Sequence, residues 1–460
     1  MTTSRLVRGA LVWVSMLGAC APALAGHGVV YTPSFYPQEI TIDAVDPTTA
    51  AAELEKNTLH AYISAMPRFG ESVPKDLAAV ESLDGFLVLA FNPASKPFSK
   101  PDKRCSTARA IVAALDGYSE DITASAYPVT PFHPDYVQHL DRIAEAKAMV
   151  QAEAAITQSL KFRAKGSRAK ALVRSRWALN DIDWDAELQE VPVSQLMVNT
   201  GRWSGPPWMK EGWFQAYQLL ALAIDDPVSK QKAHTLYERL TRGEYRDLKE
   251  QLNLQRSLLA NLVRDCSRVV IGYTVRREYY NDSFGGVEKI AFDSQLGLNS
   301  PVFMRAVKLK DFPWNGWLRL GTKEKSEAAW NPVAGFTDSP GRLVWFALGD
   351  LALLPLPYNG SWIANRVEPV VDGSAGSQSL QVPRLAVIPK AGTGTLVAVG
   401  QGAKSTANVI YRVTLSVFHD GRETEIADLL YPYVLAYRWG VKADDSDKTY
   451  DPVVDRATAP

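Results

Sequence analysis

The chain has 460 residues, enough for two or three domains, and its 46% hydrophobic and 22% charged content is that of a globular protein with a substantial core. Fifty Lys and Arg balance fifty Asp and Glu. Nucleic-acid binders usually carry a basic surplus or stripe, so a polyanionic partner is disfavoured. The N-terminus, residues 1–25, has the three parts of a signal peptide: Arg5 and Arg8, the apolar run Ala10 to Leu17, and the small-x-small site Ala23-Leu24-Ala25 before Gly26. That run is too short to span a bilayer, which takes roughly 20 residues. Leu17-Gly18-Ala19-Cys20 competes with this site as a lipobox, in which Cys20 would be lipidated. The expectation is a soluble periplasmic protein, or else a membrane-anchored lipoprotein. Either processing route leaves Cys105 and Cys266, an even pair in a compartment that permits disulfides.

Residues 26–200 mix strand and helix patterns and read as an α/β domain. Gly85 to Phe91 is an unbroken apolar run of strand length, the kind buried on both faces of a sheet. Lys96 to Arg104, basic and with two prolines, reads as a loop. Pro134 opens a helix predicted to run to Ile156, with Val137, Leu140, Ile143, Ala144 and Ala148 on its buried face. A break at Gly201 to Pro207 leads into a helical region, 201–300. There Leu248, Leu252, Leu259, Leu262, Val263 and Cys266 form one apolar stripe, placing Cys266 on the buried side of a helix. Asn281 to Gly286 is a turn.

Residues 301–441 change to short apolar segments broken by Gly, Pro and Asn, with strand candidates at Leu343 to Leu348, Leu385 to Ile388 and Leu396 to Val399. Val409 to Phe418 alternates as a half-buried strand. A helix follows, capped by Thr424, kinked at Pro432 and closed by Gly440. It is expected to bury Ile426, Leu429, Leu430, Tyr433, Val434 and Tyr437. Residues 442–460 read as a mobile polar tail. The fold class is α/β, with α+β the alternative, in several domains.

No Gly-x-Ser-x-Gly elbow, His-Glu-x-x-His helix, P-loop or Cys-x-x-Cys pair occurs, so catalysis is not indicated. With six histidines and no spare cysteine pair, a zinc or haem cofactor has little to draw on, and no cofactor is assigned. Gly392-Thr393-Gly394 and Gly400-Gln401-Gly402 lie between strands and read as hairpin turns, since a phosphate cradle must open a helix. Weak metal candidates are His133, Asp135 and His139, which alternatively provide a cap and a solvated histidine. His27 is another, because cleavage after Ala25 would expose Gly-His-Gly, a copper-chelating terminus. The best binding candidates are the aromatics Trp314, Trp317, Trp330, Tyr358 and Trp362, set among turn residues where rings supply stiff ligand surface or, alternatively, fill the core.

Val417-Phe418-His419-Asp420-Gly421 followed by Ala427-Asp428-Leu429-Leu430-Tyr431 resembles a segment of extracellular solute-binding proteins of the oligopeptide/nickel class. The resemblance covers about 30 residues around this segment, and the family continues well past it where this chain ends within about 40. It implies two α/β lobes closing on a peptide or metal chelate for delivery to an ABC transporter, with the turn itself architectural. An envelope scaffold or assembly lipoprotein without a small ligand is the alternative.

Overall fold

The structure, a computed structural model, describes residues 37–454 apart from 38, 116–117, 120, 154–158, 199–206, 284, 289, 311–315, 329–335, 337, 359–360, 371–379, 406–408, 419 and 453. The chain begins β1 (Glu39–Ala44), α1 (Pro47–Glu55), β2 (Ala61–Ile63), β3 (Leu77–Phe91), α2 (Pro101–Leu115) and β4 (Ile122–Ala124). It continues through α3 (Leu140–Gln151), β5 (Lys161–Lys165), α4 (Ser167–Arg176), β6 (Ala178–Leu179), β7 (Ala186–Pro192) and α5 (Val193–Val198). Three helices follow, α6 (Gly212–Leu220), α7 (Pro227–Thr241) and α8 (Leu248–Leu262), then β8 (Arg268–Asn281) and β9 (Val287–Glu288). Next come α9 (Pro301–Ala306), β10 (Lys308–Leu309), β11 (Trp317–Thr322) and α10 (Ser339–Leu348). Short strands close the chain, β12 (Leu353–Pro355), β13 (Trp362–Ala364), β14 (Val367–Val370), β15 (Leu380–Gln381), β16 (Val387–Pro389), β17 (Leu396–Ala398), β18 (Lys404–Ser405) and β19 (Ile410–Val413), before α11 (Ile426–Gly440).

One mixed sheet organises the protein, in the order β1-β11-β2-β8-β3-β7-β5-β6 with β4 against β8, and the fold is α/β. Its spine is the long antiparallel pair β3 and β8. As the apolar run predicts, β3 is buried on both sides: Phe86 and Val88 face the helices α6 and α8, whereas Leu87 and Leu89 face α2 and α4. At the other end β1, β11 and β2 are parallel and in register, so Ala44, Thr322 and Ile63 bring three carboxyl ends level. A separate apolar cluster of Leu318, Leu320, Phe303, Leu343 and Phe346 seats α9 and α10 there.

Several local expectations are corrected. Lys96 to Arg104 is not a loop: a short turn of helix at Lys96–Phe98 buries Phe98, and Pro101 starts α2, where its missing N–H costs nothing. The helix expected from Pro134 begins at Leu140, after a tight turn at Tyr136–His139, and ends at Gln151. Val137 and Leu140 are exposed, and no residue of α3 is fully buried. Cys266 lies past the end of α8 with a left-handed backbone (φ 51°). Leu343 to Leu348 is helical, because Asp338 accepts the Gly341 N–H as an N-cap and Leu343 and Phe346 share the buried face.

The C-terminal segment departs furthest from expectation. Only Ile410–Val413 of the alternating run forms a strand, paired with β14, and Tyr411, Leu415 and Val417 are exposed. Glu425, not Thr424, caps α11, exchanging hydrogen bonds reciprocally with Asp428. Its anticipated buried stripe is open, with Ile426 70% and Tyr433 64% exposed. The tail is tied down in part: Asp451 donates its N–H to the Trp439 carbonyl at 2.7 Å, and Val454 is buried. Gly392 and Gly394 do lie in the β16–β17 hairpin, both with positive φ. The break expected at 201–207 falls largely outside the described residues.

Cys105 and Cys266 form a disulfide with Cα atoms 5.2 Å apart, fastening the start of α2 to the α8–β8 connection across 161 residues of sequence. Replacing both by serine should lower the free energy of unfolding by up to roughly 4 to 5 kcal/mol. Urea denaturation with and without reductant measures this, and the double variant should show no further response to reductant.

Candidate functional site

At the level carboxyl ends of β1, β11 and β2, the loop 293–300 is folded against the sheet by one buried acid. Glu278, on β8, has no exposed surface. It accepts the N–H of Ser64, directly after β2, and that of Leu298 at 2.7 Å. The Arg276 Nε lies 3.7 Å away. Burial pushes the Glu278 carboxyl above its ordinary value, opposed by Arg276 and the two N–H donors. Gly297 is required where it sits: its φ is +65°, and a Cβ there would stand 1.8 Å from the Glu278 Oε2.

Asn299 then joins this loop to the N-terminus of α10. Its Nδ2 donates to the Ser64 Oγ at 3.0 Å, the Ser339 Oγ at 2.8 Å and the Ser339 carbonyl at 2.8 Å. Asn299 Oδ1 is buried without a hydrogen-bond partner among the described residues. Asp338 organises the incoming chain, accepting the N–H groups of Glu327, Ala328 and Gly341 as well as the Ser326 hydroxyl. Burial alone would raise its carboxyl, but these donors hold it below its ordinary value.

One turn into α10 sits Arg342, 4% exposed. Its Nε has no hydrogen-bond partner and its guanidinium no carboxylate within ion-pair distance among the described residues. Burial, then the repulsion of Arg276, lowers its pKa to about 10, so it remains a cation at neutral pH. Arg276 is itself engaged, with Asp84 at 3.4 Å and the Ser82 Oγ at 3.2 Å. The strand ends therefore hold a largely buried guanidinium whose Nε no described group satisfies. A guanidinium so placed matches a carboxylate bidentately. Open α/β sheets commonly bind ligands outside the carboxyl ends of their strands.

The sequence-derived candidates lie elsewhere. Trp314 and Trp330 are outside the described residues, as are His27 and Cys20. Trp317 is exposed at the amino end of β11, with Arg319 over its ring at 5.9 Å, so it stands at the opposite end of the strand from Thr322. Tyr358 and Trp362, both exposed, lie on the β12–β13 hairpin, the Tyr358 ring edge-on to Phe292 at 6.4 Å. That hairpin is pinned to the loop 293–300 by Ser294 and to Lys210, which bonds Leu356 at 3.2 Å.

His133, Asp135 and His139 are all buried. The His133 Nδ1 accepts the Thr130 N–H at 2.7 Å and its Nε2 faces the Gln215 Oε1 at 3.0 Å, leaving neither nitrogen free for a metal. Asp135 caps α6, taking the Gly212 N–H at 2.7 Å, so the capping role is carried out across the chain. His139 is enclosed, not solvated, its Nε2 3.5 Å from the Asp135 carboxylate. Among the described residues no group of three or more His, Cys, Asp or Glu is arranged to hold a metal.

Sequence inspection missed Arg276, Glu278, Asn299, Ser64, Ser339 and Arg342. The one local signal was Asp338-Ser339-Pro340 ahead of Gly341-Arg342, a helix start with proline in its first turn.

No protein-family model matches the chain, and no curated protein matches it. Among solved structures, HbpA2 from Haemophilus parasuis is 10% identical with a TM-score of 0.36, over 58% of this chain and 56% of that one. The oligopeptide-binding protein AppA from Bacillus subtilis, in complex with a nonapeptide, is 11% identical with a TM-score of 0.35, over 58% of this chain and 59% of that one. NikZ from Campylobacter jejuni, in complex with Ni(L-His), is 11% identical with a TM-score of 0.31, over 53% and 56%. The chain thus weakly resembles oligopeptide and nickel substrate-binding proteins of ABC transporters, and its match spans little more than half their length. Among the described residues no helix is long and apolar enough to cross a membrane.

Glu278→Gln should destabilise the fold by about 1 to 3 kcal/mol, because it turns an amide toward two buried N–H donors, whereas Arg276 keeps Asp84. Chemical denaturation measures it. A second test uses Glu211, which burial, with the Asp135 charge, raises to about 7 despite donation from Trp213. At this site the folded protein binds more protons than the unfolded chain between about 4.5 and 7, so this group's contribution to stability falls as pH rises across that window, opposed by His60, which burial lowers to about 4. In Glu211→Gln stability should therefore fall less, or rise more, over that window than in the parent.

Proposed function

We propose that the protein is an exported solute-binding protein that captures a carboxylate-bearing small molecule, a peptide or an amino-acid metal chelate, and hands it to an ABC transporter. The observation that carries the binding part is Arg342. Its Nε is buried without a partner while the residue keeps 4% of its surface, and a bound carboxylate would pair a cation that is largely removed from water. Ser339, three positions before Arg342 on α10, is linked to Ser64 and Asn299, and the unpartnered Asn299 Oδ1 is suited to the amide or amine of the same ligand. Tyr358 and Trp362, exposed on the hairpin that Ser294 ties to the loop 293–300, are proposed to supply stacking surface to the rest of it. Export to the periplasm is supported by the Cys105–Cys266 disulfide, since such bonds persist in oxidising compartments.

A second reading, an envelope assembly protein lipidated at Cys20, is favoured by a different observation. The exposed apolar side chains of β16, β17, β19 and α11, among them Ile388, Val397, Tyr411, Ile426 and Tyr433, offer surface for a protein partner.

Thermal denaturation with dipeptides, free amino acids and nickel–histidine separates the two. Carboxylate-bearing ligands at 100 times their dissociation constant should stabilise the fold by about 2.7 kcal/mol. The matching amides should do far less. Arg342→Met should weaken binding at least tenfold, through the loss of charge-assisted hydrogen bonds of about 1.5 to 3 kcal/mol. The ligand-free variant should be at least as stable as its parent. Absence of any stabiliser at millimolar levels, or an Arg342→Met protein that is merely unstable, would sink the binding proposal.

A further inference from the structure

Away from the strand ends, a cavity of about 290 Å³ opens beneath α3. Its walls are largely aliphatic, from Ala108 and Val112 on α2, Ala146 and Met149 on α3, Ala260 on α8, and the Cys105–Cys266 disulfide. The helix above it is unusual. α3 runs for 12 residues without one fully buried side chain, although its inner face is turned to the protein. It is held down at its two ends. Arg256 of α8 bonds Asp141 and the Gln138 carbonyl at 3.0 Å, and Arg109 of α2 bonds Glu153 at 2.7 Å. Such cross-helix pairs hold α3 over a space that side chains do not fill. Close packing is the norm in protein interiors, so an unfilled, aliphatic space under a clamped helix is suited to a guest.

The charges at the mouth indicate which guest. Arg109 and Arg256 are committed to pairs that tie helices together. Arg142 is different: its partner is Glu145 on its own helix, at 2.8 Å, with both side chains half exposed. Pairs of that kind contribute about 0 to 1 kcal/mol, so an incoming carboxylate exchanges for Glu145 at little cost. We infer that this cavity binds a monocarboxylate with a medium-length aliphatic tail, the tail under α3 and the carboxylate on Arg142. The inference is independent of the Arg342 proposal.

Isothermal titration of the full chain with octanoate and 1-octanol tests it, run in the Arg342→Met background so that the strand-end site cannot answer for this one. Saturable octanoate binding is expected, at least tenfold tighter than octanol. Arg142→Gln should bring octanoate to the octanol level. Ala146→Phe and Ala260→Phe, which fill the cavity from opposite walls, should each abolish binding; circular dichroism identifies whichever variant stays folded. No saturable binding, binding undiminished in a folded cavity-filling variant, or octanoate affinity unchanged by Arg142→Gln would overturn the proposal.

Discussion

The buried Glu278 carboxylate is the constraint around which the candidate site is built. An acid with no exposed surface must be met by donors, and the protein supplies them from three places: Ser64 after β2, Leu298 in the loop 293–300, and Arg276 two positions earlier on β8. Meeting that demand fixes the loop's path, excludes any side chain at Gly297 and sets Asn299 between two serines. It also occupies Arg276. Arg342, brought in by the Asp338 cap of α10, arrives where the nearby acids are already engaged.

Much of the central architecture was legible in the residues. The Gly85 to Phe91 run is buried on both faces, as an uninterrupted apolar strand must be; the helical texture expected of 201–300 appears as α6, α7 and α8 but stops at Leu262, and Arg268–Asn281 is instead β8, the partner of β3 in the sheet. The cysteine pair formed as the count suggested. What could not be read was whatever depended on distant partners. Asp135 turned away from its own helix because the α6 N-terminus needed a cap, and the helix expected at Pro134 was delayed to Leu140. Leu343 to Leu348 looked like a strand because a six-residue apolar run does not reveal its period; the Asp338 cap decided it. The binding candidates were sought among aromatics because rings are conspicuous in sequence. Arg342 was invisible there, since an arginine on a short helix is ordinary until its burial and lack of partners are known.

The C-terminal segment shows a different limit. Periodicity along Val409 to Phe418 and along α11 indicates sides that favour burial, but it does not say what covers them. In this structure the small sheets β14–β19 and β16–β17 and most of the apolar side of α11 remain exposed. This contrasts with the densely filled faces of the central sheet, and it places the stability of the protein in residues 39–346.

The proposal that a solute's carboxylate completes the strand-end cluster is tested most directly by a crystal structure with whichever carboxylate ligand stabilises the protein most. The carboxylate is expected against the Arg342 guanidinium, in hydrogen-bonding reach of Asn299, with Glu278 and its donors unchanged. A ligand bound at full occupancy elsewhere, with Arg342 still unpartnered or newly paired to a protein carboxylate, would contradict it.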